Sequence, residues 1–141
     1  MSFNIKAVAA VAKIFVHLRN PETDAKLYLN DEQGKPDLTK PVGVRMYSPG
    51  SIQYRNAQSA ITTENIKRGK KHLTGETLRE NAVELLALTT AEFVNMDYNG
   101  ETSGIETFRA FYSDVEMVAY KEQIEEAQGD VGNSYKSSTT A

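Results

Sequence analysis

The side chains most able to do acid–base or metal chemistry near neutral pH are histidines, and the chain has two, His17 and His72. Neither has a ligand or base at a spacing that would make a pair with it, so both are expected to be ordinary residues. There is no cysteine, which removes disulfide scaffolds, zinc–thiolate sites and thiol nucleophiles. Asp31, Glu32 and Asp37 flank Gly34 but do not match the twelve-residue calcium loop. Glu122, Glu125 and Glu126 fall near one helix face, as a solvated surface would. The stretch Gly69-Lys70-Lys71-His72-Leu73-Thr74-Gly75-Glu76-Thr77 is the nearest thing to a phosphate loop. It fails because Glu76 follows Gly75 where lysine is needed, and a carboxylate there would repel phosphate. No Gly-x-Ser-x-Gly elbow occurs and no nucleophile sits beside a base. These residues call for no catalysis, no cofactor and no metal.

The remaining chemistry is electrostatic. Residues 1–72 hold 12 Lys/Arg and 6 Asp/Glu, for +6; residues 73–141 hold 4 and 13, for −9. The net charge of −3 therefore hides a basic half followed by an acidic half. The most basic run, Lys67-Arg68-Gly69-Lys70-Lys71-His72, could contact phosphates in a salt-dependent way. No nucleic-acid motif surrounds it, and the acidic half opposes docking on a duplex, so a nucleic-acid-binding regulator is the weaker alternative. The bipolar charge instead predicts a homo-oligomer built head to tail, weakened by salt.

Elements must hold these residues in place. At 141 residues with 40% hydrophobic and 25% charged side chains, the chain fits one domain with a modest core. The longest apolar run, Ala7–Ala12, is too short to span a bilayer, so no membrane partner is expected. Ala10-Val11-Ala12 resembles a signal cleavage site. With one lysine and a short apolar core ahead of it, the segment is expected to stay in the mature protein, in the cytoplasm.

Residues 3–11 are Ala-rich and predict a short helix. Lys13–Arg19 is β-branched and aromatic and predicts a strand. Asn20-Pro21-Glu22-Thr23-Asp24 turns the chain, and Lys26–Leu29 resumes as a second strand in a hairpin. Residues 30–37 read as a polar loop, and Val42–Tyr47 alternates as a third strand. Ser48-Pro49 reads as the N-cap and first position of a helix running to about Arg68. That helix has a sparse apolar stripe which a partner could complete. Thr74 caps a stronger helix, with Leu78, Ala82, Leu85, Leu86, Thr89 and Phe93 on one face. Asn99-Gly100 predicts a tight turn. Ser103–Glu106 and Ser113–Glu116 read as capping boxes for two further helices, and Gly129 as a stop. The expected organisation is one α+β domain over residues 1–128. It has about three antiparallel strands within 12–47 and about four helices within 49–127. A flexible tail over 129–141 follows.

Val42-Gly43-Val44-Arg45-Met46-Tyr47-Ser48-Pro49-Gly50-Ser51-Ile52-Gln53-Tyr54-Arg55 is followed by a basic connector and an Ala/Leu-rich helix. Phe111-Tyr112-Ser113-Asp114, then Val118-Ala119-Tyr120-Lys121-Glu122-Gln123-Ile124, then Gly129-Asp130-Val131-Gly132-Asn133-Ser134-Tyr135 come after. In this order of features the chain resembles the tail assembly chaperones of long-tailed, non-contractile bacteriophages. The likeness spans roughly residues 12–135. It implies a non-enzymatic protein of the host cytoplasm, absent from the mature virion. Such a protein keeps the tape measure protein soluble and helps recruit tail tube protein. A small structural virion protein, for tail completion or head–tail connection, is the alternative. A client helix would need apolar grooves. The candidate contact residues are Ile52, Tyr54 and Ile61 in the sparse helix and Phe108, Phe111, Met117 and Tyr120 in the C-terminal helices. For each of the aromatics the plainer reading is packing in the core.

Overall fold

The computed structural model describes residues 2–5, 13–69 and 74–139, the last eight as backbone alone. The Ala-rich helix expected over 3–11 falls largely outside these residues. His72 and most of the basic connector lie outside them altogether.

Alternating apolar residues build the central sheet. Strands β1 (Lys13–His17), β4 (Gly43–Tyr47) and β5 (Thr90–Val94) pair antiparallel in the order β1-β4-β5. Val16, Val44 and Phe93 lie in register on the inner face, and Phe15, Arg45 and Glu92 on the outer face. The inner face adds Met46, and Leu18 just beyond β1 joins the same core. The outer face stays wet: Arg45 and Glu92 form a cross-strand ion pair, and Lys13 Nζ sits 5.5 Å from the Tyr47 ring centre. Strands β2 (Tyr28–Asn30) and β3 (Pro36–Pro41) form a separate two-stranded ribbon.

Helices cover the inner face. Helix α2 (Gly75–Leu88) gives it Leu86 and Ala87, α3 (Ile105–Ser113) gives Phe108, Phe111 and Tyr112, and α4 (Val118–Thr139) gives Ile124. Helix α1 (Ile52–Arg68) stands outside this core, packs on α2 and buries only Ala57. The class is therefore α+β, with a small antiparallel sheet and, among the described residues, four α-helices.

Several expectations need correction. The helix from residue 74 does not continue to Phe93; it ends at Leu88 and the chain becomes β5. Thr89 and Thr90 cause the change. Thr89 Oγ1 donates to the Leu85 carbonyl at 2.6 Å, and Thr90 Oγ1 to the Leu86 carbonyl at 2.7 Å. The Thr89 carbonyl meanwhile accepts from Tyr47 N at 2.7 Å. β-Branched residues whose hydroxyls satisfy the last carbonyls are suited to leave a helix and join a sheet. The third strand of the main sheet therefore comes from residues 90–94.

The expected hairpin forms only at its root. Leu27 N donates to Leu18 O at 2.9 Å, after which β2 turns to pair with β3. Residues 36–41 are a strand whose prolines sit at its two ends, where a missing N–H costs least.

Helix α1 begins at Ile52. Its cap is Ser51, whose Oγ accepts from Tyr54 N at 3.2 Å, so Ser48 and Pro49 precede the helix. Gly104, at φ 104°, occupies the cap position of α3 with no side-chain bond, so Ser103 does not close a capping box. Ser113 ends α3. Asp114 caps the following 3-10 turn Val115–Met117 by accepting from Glu116 N at 2.9 Å. Gly129 is not a stop, because α4 stays helical to Thr139.

Thr74 does cap α2, accepting from Thr77 N at 3.2 Å. Asn99 (φ 51°) and Gly100 (φ 85°) make the expected tight turn between Tyr98 and Glu101.

Polar clamps fix α4 to the sheet. Gln123 accepts from Arg19 N at 2.8 Å and donates to Arg19 O at 2.9 Å. Gln128 Nε2 donates to Tyr47 O at 3.2 Å and Thr89 Oγ1 at 3.1 Å. Such buried pairing sets the register of a helix on a sheet, since leaving either partner unmade costs about 1–3 kcal/mol.

Candidate functional site

Two apolar surface features gather the candidate residues. The first is the groove between α1 and α2. Helix α1 has few apolar residues to set against α2, and open space lined by both helices flanks their contact. One side holds a groove of about 570 Å³ lined by Gln58, Ile61, Thr62, Leu78, Asn81, Ala82 and Leu85. Ile61 also reaches the opposite side, where Glu64, Arg68, Glu80 and Glu84 make the lining charged. Asn81 Nδ2 bridges to Asn65 Oδ1 at 3.2 Å and holds the pair of helices together. Leu78 is 59% exposed. Ile52 is 68% exposed at the start of α1, and Tyr54 is half-buried, with its phenol pushed up by burial. Ile61 thus lines the groove, while Ile52 and Tyr54 lie on the same helix outside its walls.

The second feature is a pocket of about 170 Å³ where β1, the root of β2, the 96–98 turn and the start of α4 meet. Its walls include Leu18, Leu27, Met96, Tyr98, Met117 and Tyr120, and Phe111 lies at its base. Three of the expected contact residues are here, Met117 and Tyr120 in the walls and Phe111 at the base. Phe111 and Phe108 are not surface anchors. They are 2% and 5% exposed and pack edge-on against Phe93 at 5.2 and 5.1 Å. The inner sheet face is apolar and must be covered, and α3 supplies these rings to cover it. Met96, Tyr98, Leu18 and Leu27 could not be assigned to the pocket from spacing alone, because four separate segments bring them together.

The Tyr98 wall of the pocket is tied to a carboxylate that lines the neighbouring groove. Asp114 Oδ2 accepts from the Tyr98 hydroxyl at 2.6 Å. That hydroxyl, and then the Glu116 N–H, hold the Asp114 carboxyl below the usual carboxylate range, and the same bond pushes the Tyr98 phenol up. A carboxyl depressed in the fold stabilises it above the unfolded value and loses that contribution as pH falls through the folded value. Asp114→Asn should therefore lower the melting temperature at pH 7. It should also flatten the decline of stability between about pH 5 and pH 2 relative to the wild type. Parallel melts of equal slope would show that this bond contributes nothing.

The other residues singled out by type are structural. His17 Nε2 lies 2.7 Å from Leu27 O, and its ring meets Tyr28 edge-on at 4.8 Å. Glu125 pairs with Lys121 at 3.3 Å, and Arg68 with Glu64 at 3.7 Å. Among the described residues no cluster of three or more His, Asp or Glu is placed to hold a metal ion. No helix among them is long and apolar enough to cross a membrane. No protein-family model, no curated protein and no solved structure matches this chain.

Proposed function

We propose that the chain is a tail assembly chaperone of long-tailed bacteriophages. On this reading it is non-enzymatic, binds the tape measure protein in the host cytoplasm and helps bring tail tube subunits to it. The resemblance over residues 12–135 supplies the role. The observation that carries it is the open apolar groove between α1 and α2, bordered by Ile61, Leu78 and Leu85. A tape measure protein is long and helical, and its apolar stripe needs cover before the tail is built. A helix laid in this groove through i, i+3 and i+4 anchors would bury that stripe. Binding one exposed stretch of a long client fits a shallow groove better than a deep cavity would.

The test is co-expression with the tape measure protein encoded nearby. The two should co-purify, and the tape measure should move from the pellet to the soluble fraction. Leu78→Lys should reduce the recovered complex by about tenfold, since it sets a charge on the apolar wall at a site exposed enough to leave the fold intact. A tape measure that stays insoluble beside abundant chaperone would sink the assignment. Recovery of the chain from purified virions would point instead to a small structural virion protein.

A further inference from the structure

Helix α2 has two apolar faces. One carries Leu86 and Ala87 into the core, with Val83 packed beside them. The other runs through Leu78, Ala82, Leu85 and Leu88, about one turn apart, and lines the spaces shared with α1. That spacing suits a helix that receives another helix. Its cover is α1, and the cover is thin. Of the seventeen residues of α1 only Ala57 is buried. Among the described residues its one side-chain hydrogen bond to another element joins Asn65 to Asn81, at 3.2 Å. Helix α1 also has little strength of its own. Asn56, Ser59, Thr62, Thr63, Asn65 and three isoleucines are weak helix formers. A lone helix of this length and composition does not hold in water, so packing on α2 is what keeps it wound.

Both ends of α1 are held. At the start Ser51 is buried, and its Oγ donates to Ser48 O at 2.7 Å. At the end, four residues separate Gly69 from Thr74, the cap of α2. With its ends fixed, α1 cannot swing away as a rod, but it can leave α2 by unwinding. Wound, it spans about 25 Å. Unwound, the same residues reach about twice as far, so the ends need not move.

We infer that α1 is a displaceable cover: a helix of the tape measure protein takes its place on Leu78, Ala82, Leu85 and Leu88 while α1 unwinds. The inference rests on the proposed function and adds the regulation of that site. The groove of about 570 Å³ is where the client first seats, beside Ile61. Unwinding then frees the rest of the stripe, and the client's helix replaces the cover. Without a client, α1 partly shields Ala82, Leu85 and Leu88. The apparent affinity for the client scales with the fraction of chains in which α1 is unwound, so strengthening α1 weakens binding.

Asn56, Ser59 and Thr63 provide the test, because they are exposed and line neither side of the groove. Changing them alters the strength of α1 and no wall of the site. In the wild type alone, amides of α1 should exchange with solvent at least about a hundredfold faster than those of Leu85–Leu88. Asn56→Ala/Ser59→Ala/Thr63→Ala should slow exchange across α1 by about tenfold. It should also cut recovery of the complex with co-expressed tape measure protein by about tenfold. Ser59→Gly/Thr63→Gly should move both readouts the other way, by about threefold. Exchange in α1 as slow as in α2 overturns the inference and leaves the groove reading standing. So does equal recovery with all three chains, which would place the client beside α1 and not in its stead. Recovery that rises with the alanine variant would mean that the client needs α1 wound as a wall of its site, and it overturns the inference as well. A tape measure protein recovered with none of the three chains sinks the proposed function, and the inference falls with it.

Discussion

Phe111→Ala should cost about 3–5 kcal/mol, a large part of the roughly 5–15 kcal/mol by which a domain is usually stable. Phe111 is 2% exposed and touches the rings of Phe93, Tyr98 and Tyr112 at centroid distances of 5.2, 5.6 and 5.1 Å. Truncation removes three edge-on contacts and opens a void beneath the pocket at Met117. The cavity cannot collapse easily, because β5, α3 and the 96–98 turn each place a ring around it and all three would have to move. A fall of about 10–20 °C in melting temperature is expected for a chain of this size. Ile52→Ala, at an exposed site on α1, should change stability by less than about 0.5 kcal/mol and serves as the control. A loss below about 1 kcal/mol at Phe111 would mean that this ring does not anchor the core.

Phe111 also shows where sequence reading stops. Its helix was legible from the spacing of Ile105, Phe108 and Phe111, but not whether those rings face a sheet or a client. Periodicity reports that a face is apolar and says nothing about what lies against it. The answer depended on β5, and β5 was hidden because Leu78, Leu85, Thr89 and Phe93 keep helical spacing across the junction. The available signal was local: two adjacent β-branched threonines ahead of Phe93-Val94. Where chemistry is confined to neighbouring residues it was readable, as at Thr74 and at Asn99-Gly100. Ser51 in place of Ser48, and Asp114 in place of Ser113, show the limit of that rule. Several capping residues stood close together, and tertiary packing decided which became the cap.

The surface features divide in the same way. The thin stripe of α1 was visible from the sparse spacing of Ile52, Ala57, Ile61 and Ile66, and the structure leaves that helix with one buried residue. The groove it makes with α2 follows from that deficit. The pocket at Met117 had no such origin. Leu18 and Tyr120 lie over a hundred positions apart, and they meet because Gln123 clamps both the N–H and the carbonyl of Arg19. The charge asymmetry was legible as a sum over halves. Its physical meaning needed placement: Lys67 and Arg68 fall in the last turn of α1, while Asp97 borders the pocket at Met117 and Asp114 and Glu116 precede Met117 in its turn.

The second large effect is expected at Gly43, where adding a single methyl should destabilise the fold by at least about 1–3 kcal/mol. Gly43 is central to the sheet, opposite His17 on one side and Val94 on the other. A Cβ there would stand 2.2 Å from Val16 O and 2.7 Å from two carbons of the Phe15 ring. The two obstacles differ in kind. Phe15 is partly exposed, and its ring can swing toward solvent at little cost. Val16 O belongs to the backbone of β1, and moving it breaks the pairing of β1 with β4. Since Val16 also fills the inner face, the strand cannot shift without disturbing the core. Gly43→Ala should therefore speed amide exchange along Lys13–His17 more than in α2. The double variant Gly43→Ala/Phe15→Ala should remain close to the single one in stability, because removing the ring leaves the carbonyl in place. Full rescue by Phe15→Ala would show that the ring alone excludes a side chain at residue 43 and that the approach of β1 to β4 is not what requires glycine there.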